Sequence, residues 1–200
     1  MGQELNSDFY NSVFKDGGSE QTYFRHYSDT PWYPVWTHII TYIKSNQFQN
    51  ILDLGCGPGQ FSRYLKDSLP NIKYTGFDFS EIAIDMAKKL TPEFSFQVED
   101  AVTFDYSSIV YDLVIATEFF EHIEGDLDIL KKIKSGTTIL ITLPNMDSEG
   151  HVRFLSKDDF TARHDIKERY SDYCEILDIF HFPYAANPEN ADYLIIMIKK

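Results

Sequence analysis

Asp53 stands two residues ahead of Gly55 in Ile51-Leu52-Asp53-Leu54-Gly55-Cys56-Gly57-Pro58-Gly59-Gln60-Phe61, and glycine returns at 57 and 59. Glycines are needed where the backbone takes unusual dihedrals and where a ligand must approach with no Cβ in its way. A carboxylate just ahead of such a turn opposes a pyrophosphate but favours the ammonium of an amino acid, directly or through water. Two further acidic residues close apolar runs: Asp78 in Tyr74-Thr75-Gly76-Phe77-Asp78-Phe79-Ser80, and Asp100 in Val98-Glu99-Asp100-Ala101. Downstream, Ala116-Thr117-Glu118-Phe119-Phe120-Glu121-His122-Ile123 gathers two carboxylates and an imidazole. On a helical turn Glu118 would share a face with Glu121 and His122, three and four residues on. With an ordinary pKa near ~6.5, His122 is available as a neutral general base at physiological pH.

These residues need a scaffold, and the chain reads as alternating short apolar runs and amphipathic stretches, the pattern of βα units and a parallel sheet. Strands are expected at Ile51–Leu54, Ile72–Phe77, Phe94–Val98, Leu113–Ala116, Thr138–Leu143, Glu175–Phe182 and Tyr193–Ile198. Helices are expected at Val35–Ser45, Gln60–Ser68, Ser80–Leu90, Asp126–Ile133 and Lys157–Tyr170, with Ser80 and Ser156 as N-caps. The last two strands lie too close together for a crossover helix and are expected to pair antiparallel, with Asn187, Pro188, Glu189 and Asn190 supplying the turn. In such open sheets ligands bind beyond the carboxyl ends of the strands, which is where Asp53, Asp78, Asp100 and the Glu118–His122 segment fall. His151 and Arg153 follow the fifth strand and face the same cleft. The pair suits a carboxylate or the sugar hydroxyls of an acceptor; the alternative is a salt bridge from Arg153 to Asp158 or Asp159.

A dinucleotide turn, G-x-G-x-x-G, fits poorly, because the third glycine comes one residue early and leaves Gln60 in its place. From about Ile51 to Lys199 the chain resembles the class I S-adenosylmethionine (SAM)-dependent methyltransferases, whose first motif is (D/E)-x-G-x-G-x-G. That resemblance implies an α/β fold with a doubly wound, mostly parallel seven-stranded sheet and an antiparallel last strand. It implies that Asp53, Gly55, Cys56 and Gly57 line the methionine portion of the cofactor. Asp78 would accept from both ribose hydroxyls, an ionised carboxylate being purely an acceptor. Phe79 would stack on the adenine, Asp100 and Ala101 would hold its amine, and Thr117 would complete the cofactor site.

Some members of this family use an E-x-x-E-H segment for a divalent cation, among them ubiquinone-pathway O-methyltransferases and small-RNA 2′-O-methyltransferases. Glu118, Glu121, His122 and His151 are the matching ligands here, a set that suits Mg²⁺ or Mn²⁺ without selecting one. Others keep a metal-free pocket, in which His122 and Glu121 carry the catalysis. The expected activity is methyl transfer to an oxygen or nitrogen of a small molecule. A metal-dependent RNA 2′-O-methyltransferase and a non-catalytic SAM-binding regulator are the alternatives.

Residues 1–30 are polar, aromatic and broken at Gly17–Gly18. The chain is expected to form a single domain, 1–200, whose residues 1–47 act as a helical, aromatic lid on a Rossmann-like core at 48–200. Tyr27, Trp32 and Tyr33 are the expected pocket residues of that lid. The formal net charge of −13 repels phosphate backbones at long range and disfavours nucleic acid as a partner. Cys56 and Cys174 lack metal-type spacing, no basic and apolar leader opens the chain, and no apolar run reaches membrane-spanning length. These features suggest a cytoplasmic protein without membrane attachment, a monomer or homodimer.

Overall fold

Leu113, Val114, Ile115 and Ala116 are all fully buried, the condition of a parallel strand covered on both faces, which therefore reads as an unbroken apolar run. In the computed structural model, which describes residues 2–200, this strand belongs to one of two compact units.

The first unit comprises residues 5–104 and 110–112. It contains α1 (Ser7–Asp16), tight turns at Ser19–Phe24 and Tyr27–Asp29, and α2 (Tyr33–Asn46). There follow β1 (Asn50–Leu54), α3 (Gln60–Ser68), β2 (Lys73–Asp78), α4 (Glu81–Leu90) and β3 (Ser95–Val98). β1 pairs parallel with β2, and β2 with β3. Ser80 caps α4 as expected, its hydroxyl accepting from the Ala83 amide at 3.1 Å. α1 was not anticipated from the sequence. Asn6 caps its start, accepting from the Phe9 amide at 3.1 Å, and Gly17 ends it in the left-handed conformation (φ 85°).

The second unit comprises residues 2–4, 105–109 and 113–200. Its elements are β4 (Leu113–Ala116), α5 (Asp126–Lys132), β5 (Thr138–Pro144), α6 (Asp159–Tyr170), β6 (Cys174–Pro183) and β7 (Ala191–Lys199). β4 and β5 are parallel, whereas β7 runs antiparallel to both β5 and β6. The β6–β7 connection closes through Tyr184 N–H to the Asn190 carbonyl (2.9 Å) and Asn190 N–H to the Asn187 carbonyl (3.0 Å). α6 begins later than expected: Asp158, not Ser156, is its cap, accepting from the Thr161 amide at 2.9 Å, while Ser156 accepts from the Asp158 amide one step upstream. A carboxylate serves this position better than a hydroxyl, because it also favours the helix dipole.

The strand order is β3-β2-β1-β4-β5-β7-β6; seven strands with an antiparallel last one are what the family resemblance implies. Among the described residues no helix is long and apolar enough to cross a membrane.

Candidate cofactor and acceptor sites

In the first unit, Gly55, Gly57 and Gly59 all take positive φ (71°, 53° and 91°), so the turn after β1 favours glycine at these three positions. It is pinned to β2 by the Cys56 amide, which donates to the Phe77 carbonyl at 2.8 Å. Asp78, buried at the end of β2, accepts from the Gly57 amide through Oδ2 (3.0 Å) and from the Ser80 amide through Oδ1 (2.9 Å). Each oxygen thus takes one backbone donor and keeps a second acceptor direction. Burial pushes the Asp78 pKa up to about 6 against the pull of those two amides. Asp53 is more deeply enclosed. Its Oδ2 accepts from the Tyr74 hydroxyl at 2.5 Å, and its Oδ1 is buried with no hydrogen-bond partner. Burial raises its pKa to about 7, the Tyr74 hydrogen bond opposing and the Asp78 charge adding.

Phe79 is half-buried, with its ring 5.4 Å from that of Tyr10 on α1. Ala101 is buried, whereas Asp100 is exposed and accepts from the Val102 amide at 2.8 Å, so it also shapes the turn after β3. Phe14 of α1 lies over the glycine turn, its ring edge 3.8 Å from where a Gly57 Cβ would stand. Asn11 of α1 accepts from the Ser80 hydroxyl at 2.6 Å. Gln60, the first residue of α3, donates to the carbonyls of Thr22 (3.0 Å) and Arg25 (2.7 Å). Asn11 and Gln60 therefore hold the arm against the turn. The only sequence signal for Gln60 is that it occupies the place a dinucleotide turn gives to glycine; Asn11 has none.

The arm's aromatic residues pack differently from the expected pocket. Tyr27 stacks on Tyr64 of α3 at 4.7 Å and donates to Asp67 at 3.2 Å, and Tyr33 packs on the same Tyr64 at 5.2 Å. Trp32 lies between Tyr23 (5.8 Å) and Trp36 (5.7 Å). In this arrangement Tyr27, Trp32 and Tyr33 fasten the arm to α3 and α2.

In the second unit, half-buried Thr117 follows β4 directly. Glu118 has φ 51° and lies outside the single tight turn Phe120–His122, so the expected helical face shared by Glu118, Glu121 and His122 does not form. Thr142 of β5 explains this: its hydroxyl accepts from the Glu118 amide at 2.8 Å and donates to Glu118 Oε1 at 2.7 Å. Glu118 also hydrogen-bonds Asp192, at the start of β7, and the Tyr184 hydroxyl donates to Asp192 at 2.6 Å. Thr142, Tyr184 and Asp192 were not recognised from the sequence; a lone acid ahead of an apolar run such as Tyr193–Met197 carries no distinctive spacing.

Glu121 is fully buried with neither carboxylate oxygen hydrogen-bonded, and its Oε1 is 3.8 Å from His122 Nε2. His122 places Nδ1 at 3.2 Å from the Gly150 carbonyl and His151 places Nδ1 at 3.1 Å from the Met146 carbonyl. A carbonyl only accepts, so both rings carry their proton on Nδ1. The rings meet edge to face at 4.8 Å. Burial, aided by His151, drives the His122 pKa down to about 4, and burial lowers that of His151 as well. Both are neutral near pH 7, so the 3.8 Å approach to Glu121 is neither an ion pair nor a hydrogen bond. Burial and the neighbouring Glu118 push the Glu121 pKa up. Ligand atoms of Glu121, His122 and His151 lie within 4.8 Å of one another. Glu118, the fourth expected ligand, is turned instead toward Thr142 and Asp192.

Arg153 takes neither expected salt bridge. Its guanidinium donates to the carbonyls of Phe120 and Ile123 (the latter at 2.6 Å) and pairs with buried Asp126 at 3.2 Å. Arg169 pairs with the same Asp126 through two bonds of 2.6 and 2.8 Å, and the Tyr170 hydroxyl adds a third at 3.1 Å. Asp158 is engaged as a helix cap and Asp159 by Arg163.

Residues 52–137 match the family model described as a methyltransferase domain. The trans-aconitate 2-methyltransferase of Streptomyces avermitilis is 30% identical over 146 residues, covering 68% of this chain and 53% of that protein. The chain spans about a third to a half of the length of the curated relatives it matches. Among solved structures, magnesium protoporphyrin IX methyltransferase from Synechocystis, with bound SAM, superposes with a TM-score of 0.71 at 14% identity, covering 100% of both chains. N-methyltransferase NodS from Bradyrhizobium japonicum, with S-adenosyl-L-homocysteine (SAH), gives 0.67 at 15% identity, covering 95% of this chain and 98% of that one. With its fold, its glycine turn and its matched domain in agreement, the chain belongs to the class I SAM-dependent methyltransferase family.

Proposed function

We propose that the chain transfers the methyl group of SAM to an oxygen or nitrogen of a small-molecule acceptor. The supporting observation is Asp78: a buried carboxylate beside a turn whose three glycines all take positive φ, each oxygen holding one amide and keeping one acceptor direction. Two adjacent ribose hydroxyls present the matching pair of donors. Asp53, Gly55, Cys56 and Gly57 would face the methionine portion, Asp53 Oδ1 offering the acceptor an ammonium seeks. Phe79, Asp100 and Ala101 would receive the adenine. We read residues 1–200 as one catalytic domain acting in the cytoplasm, with 1–47 as the cover of the glycine turn.

The bound cofactor supplies an already activated methyl group, so the protein mainly aligns and dehydrates. Alignment alone is worth up to ~7–11 kcal/mol in well-oriented systems. Phe14 excludes water above the turn. His122 Nε2, kept neutral by burial, accepts a proton where the acceptor must lose one, with Glu121 behind it; such a base contributes roughly 10²–10⁴-fold.

A second reading has a specific observation in its favour. Both imidazoles donate Nδ1–H to carbonyls, the arrangement that orients metal-binding histidines, so Glu121, His122 and His151 would hold a divalent cation such as Mg²⁺ or Mn²⁺. The set is three ligands rather than the expected four, which makes the metal-free reading the better supported. In the metal-free reading, titration with Mn²⁺ gives no saturable heat.

Calorimetric titration tests the main reading. SAM and SAH are expected to bind with micromolar affinity or tighter, and Asp78→Ala to abolish binding. An Asp78→Ala variant that binds SAH as the parent does would remove the basis of the assignment.

A further inference from the structure

Resting on that reading, we propose that the acceptor is an amine, recognised as its ammonium by a carboxylate cluster built from Glu118, Glu121 and Asp192. Beyond the carboxyl ends of β4 and β5, half-buried Glu118, His122 and Tyr184 form the face nearer solvent, with Glu121 and Asp192 buried beneath. Three carboxyl groups converge there, and the cationic side chain acting on Glu121, Arg153, is already engaged by Asp126 and two carbonyls.

Glu121 is the decisive group. A carboxyl group at 0% exposure with both oxygens unpartnered carries a desolvation cost that a hydrogen-bonded guest removes. The guest must bring donors. The surroundings offer acceptors: the carboxyl oxygens themselves, and the lone pair that His151 leaves on Nε2 by giving its proton to Met146. An ammonium has three N–H donors and a positive charge. A carboxylate acceptor would bring more lone pairs and a like charge, and the arginine expected to receive it is held elsewhere.

The chemistry closes without a further reactant. The bound ammonium gives one proton to His122 Nε2, the base of the proposed function, and the freed nitrogen lone pair forms the new N–C bond. The C–S bond of the sulfonium breaks with its electrons left on sulfur, giving SAH. The positive charge passes from sulfur to the methylated nitrogen, which stays beside the carboxylates.

The test uses the intact chain saturated with SAH and three probes of one shape: benzylammonium, benzyl alcohol and benzoate. Benzylammonium is expected to bind saturably, and the alcohol and benzoate to bind at least tenfold more weakly. Glu121→Gln and, separately, Glu118→Gln are expected to weaken benzylammonium about tenfold or more while leaving SAH affinity unchanged. The unchanged SAH affinity reports that each variant is folded. Preferential binding of benzoate, binding of none of the probes, or insensitivity to both variants overturns the proposal. So does Mn²⁺ binding at this cluster that benzylammonium cannot displace. Failure of SAH itself to bind would instead remove the methyltransferase reading.

Discussion

Asp53 and Asp78 hold protons in the folded, ligand-free protein up to about pH 7 and about pH 6 respectively, whereas an unfolded aspartate releases its proton near ~3.9. Between those values the folded state binds more protons than the unfolded one, so each residue makes stability fall as pH rises. His122 and His151 act in the opposite sense, because their depressed pKa values leave the unfolded state with more protons below about pH 6.5. Substitution separates the two contributions. Relative to the parent, Asp53→Asn is expected to gain stability steadily from about pH 4 to about pH 7, read from urea midpoints at constant ionic strength. A parent–variant difference that stays flat across that interval would mean Asp53 is not held protonated. At this scale the glycine turn after β1 and the aspartate that closes β2 were legible because each follows an apolar run along the chain. Glu118 was not, since its left-handed backbone depends on Thr142, which belongs to another strand.

At the level of elements, the β1–α3 turn sets how closely two helices pack. A Cβ on Gly59 would stand 2.8 Å from Ala87 Cα and 2.9 Å from Ala87 Cβ in α4, and the residue has φ 91°. Gly59→Ala must therefore both strain the backbone and separate α3 from α4. The expected loss is about 2 kcal/mol or more, with weakened SAH binding, seen in thermal unfolding with and without SAH. A Gly59→Ala variant as stable as the parent would show that the helices pack less tightly than described. Strand and helix order followed from apolar runs and periodicity, yet α1 was missed. Its signals were present in Asn6 and in Gly17, but its apolar side is mostly aromatic and its sole buried residue is Phe14. The Gly17–Gly18 pair that reads as a break in the chain is the helix's end.

For the molecule as a whole, the antiparallel pairing of β6 with β7 could be anticipated because the gap between these two strands admits a turn and no helix. The docking of the arm could not, since it rests on contacts between residues tens of positions apart, such as Gln60 with Thr22 and Arg25. The net charge of −13 is a property of the entire chain and bears on its partners. A fluorescent single-stranded RNA is expected to show no saturable binding at low ionic strength, where attraction to phosphate is least screened. Tight binding that weakens steeply with salt would favour the RNA-directed alternative.

The two bonds from the Gln60 carboxamide start one residue after the last glycine of the turn. Any ligand that reseats that turn drags the start of α3 with it, and with α3 the peptide groups of Thr22 and Arg25. Occupancy below the turn and the mobility of residues 19–25 are thereby geared together, so amide hydrogen exchange in that stretch is a remote gauge of whether the turn is filled.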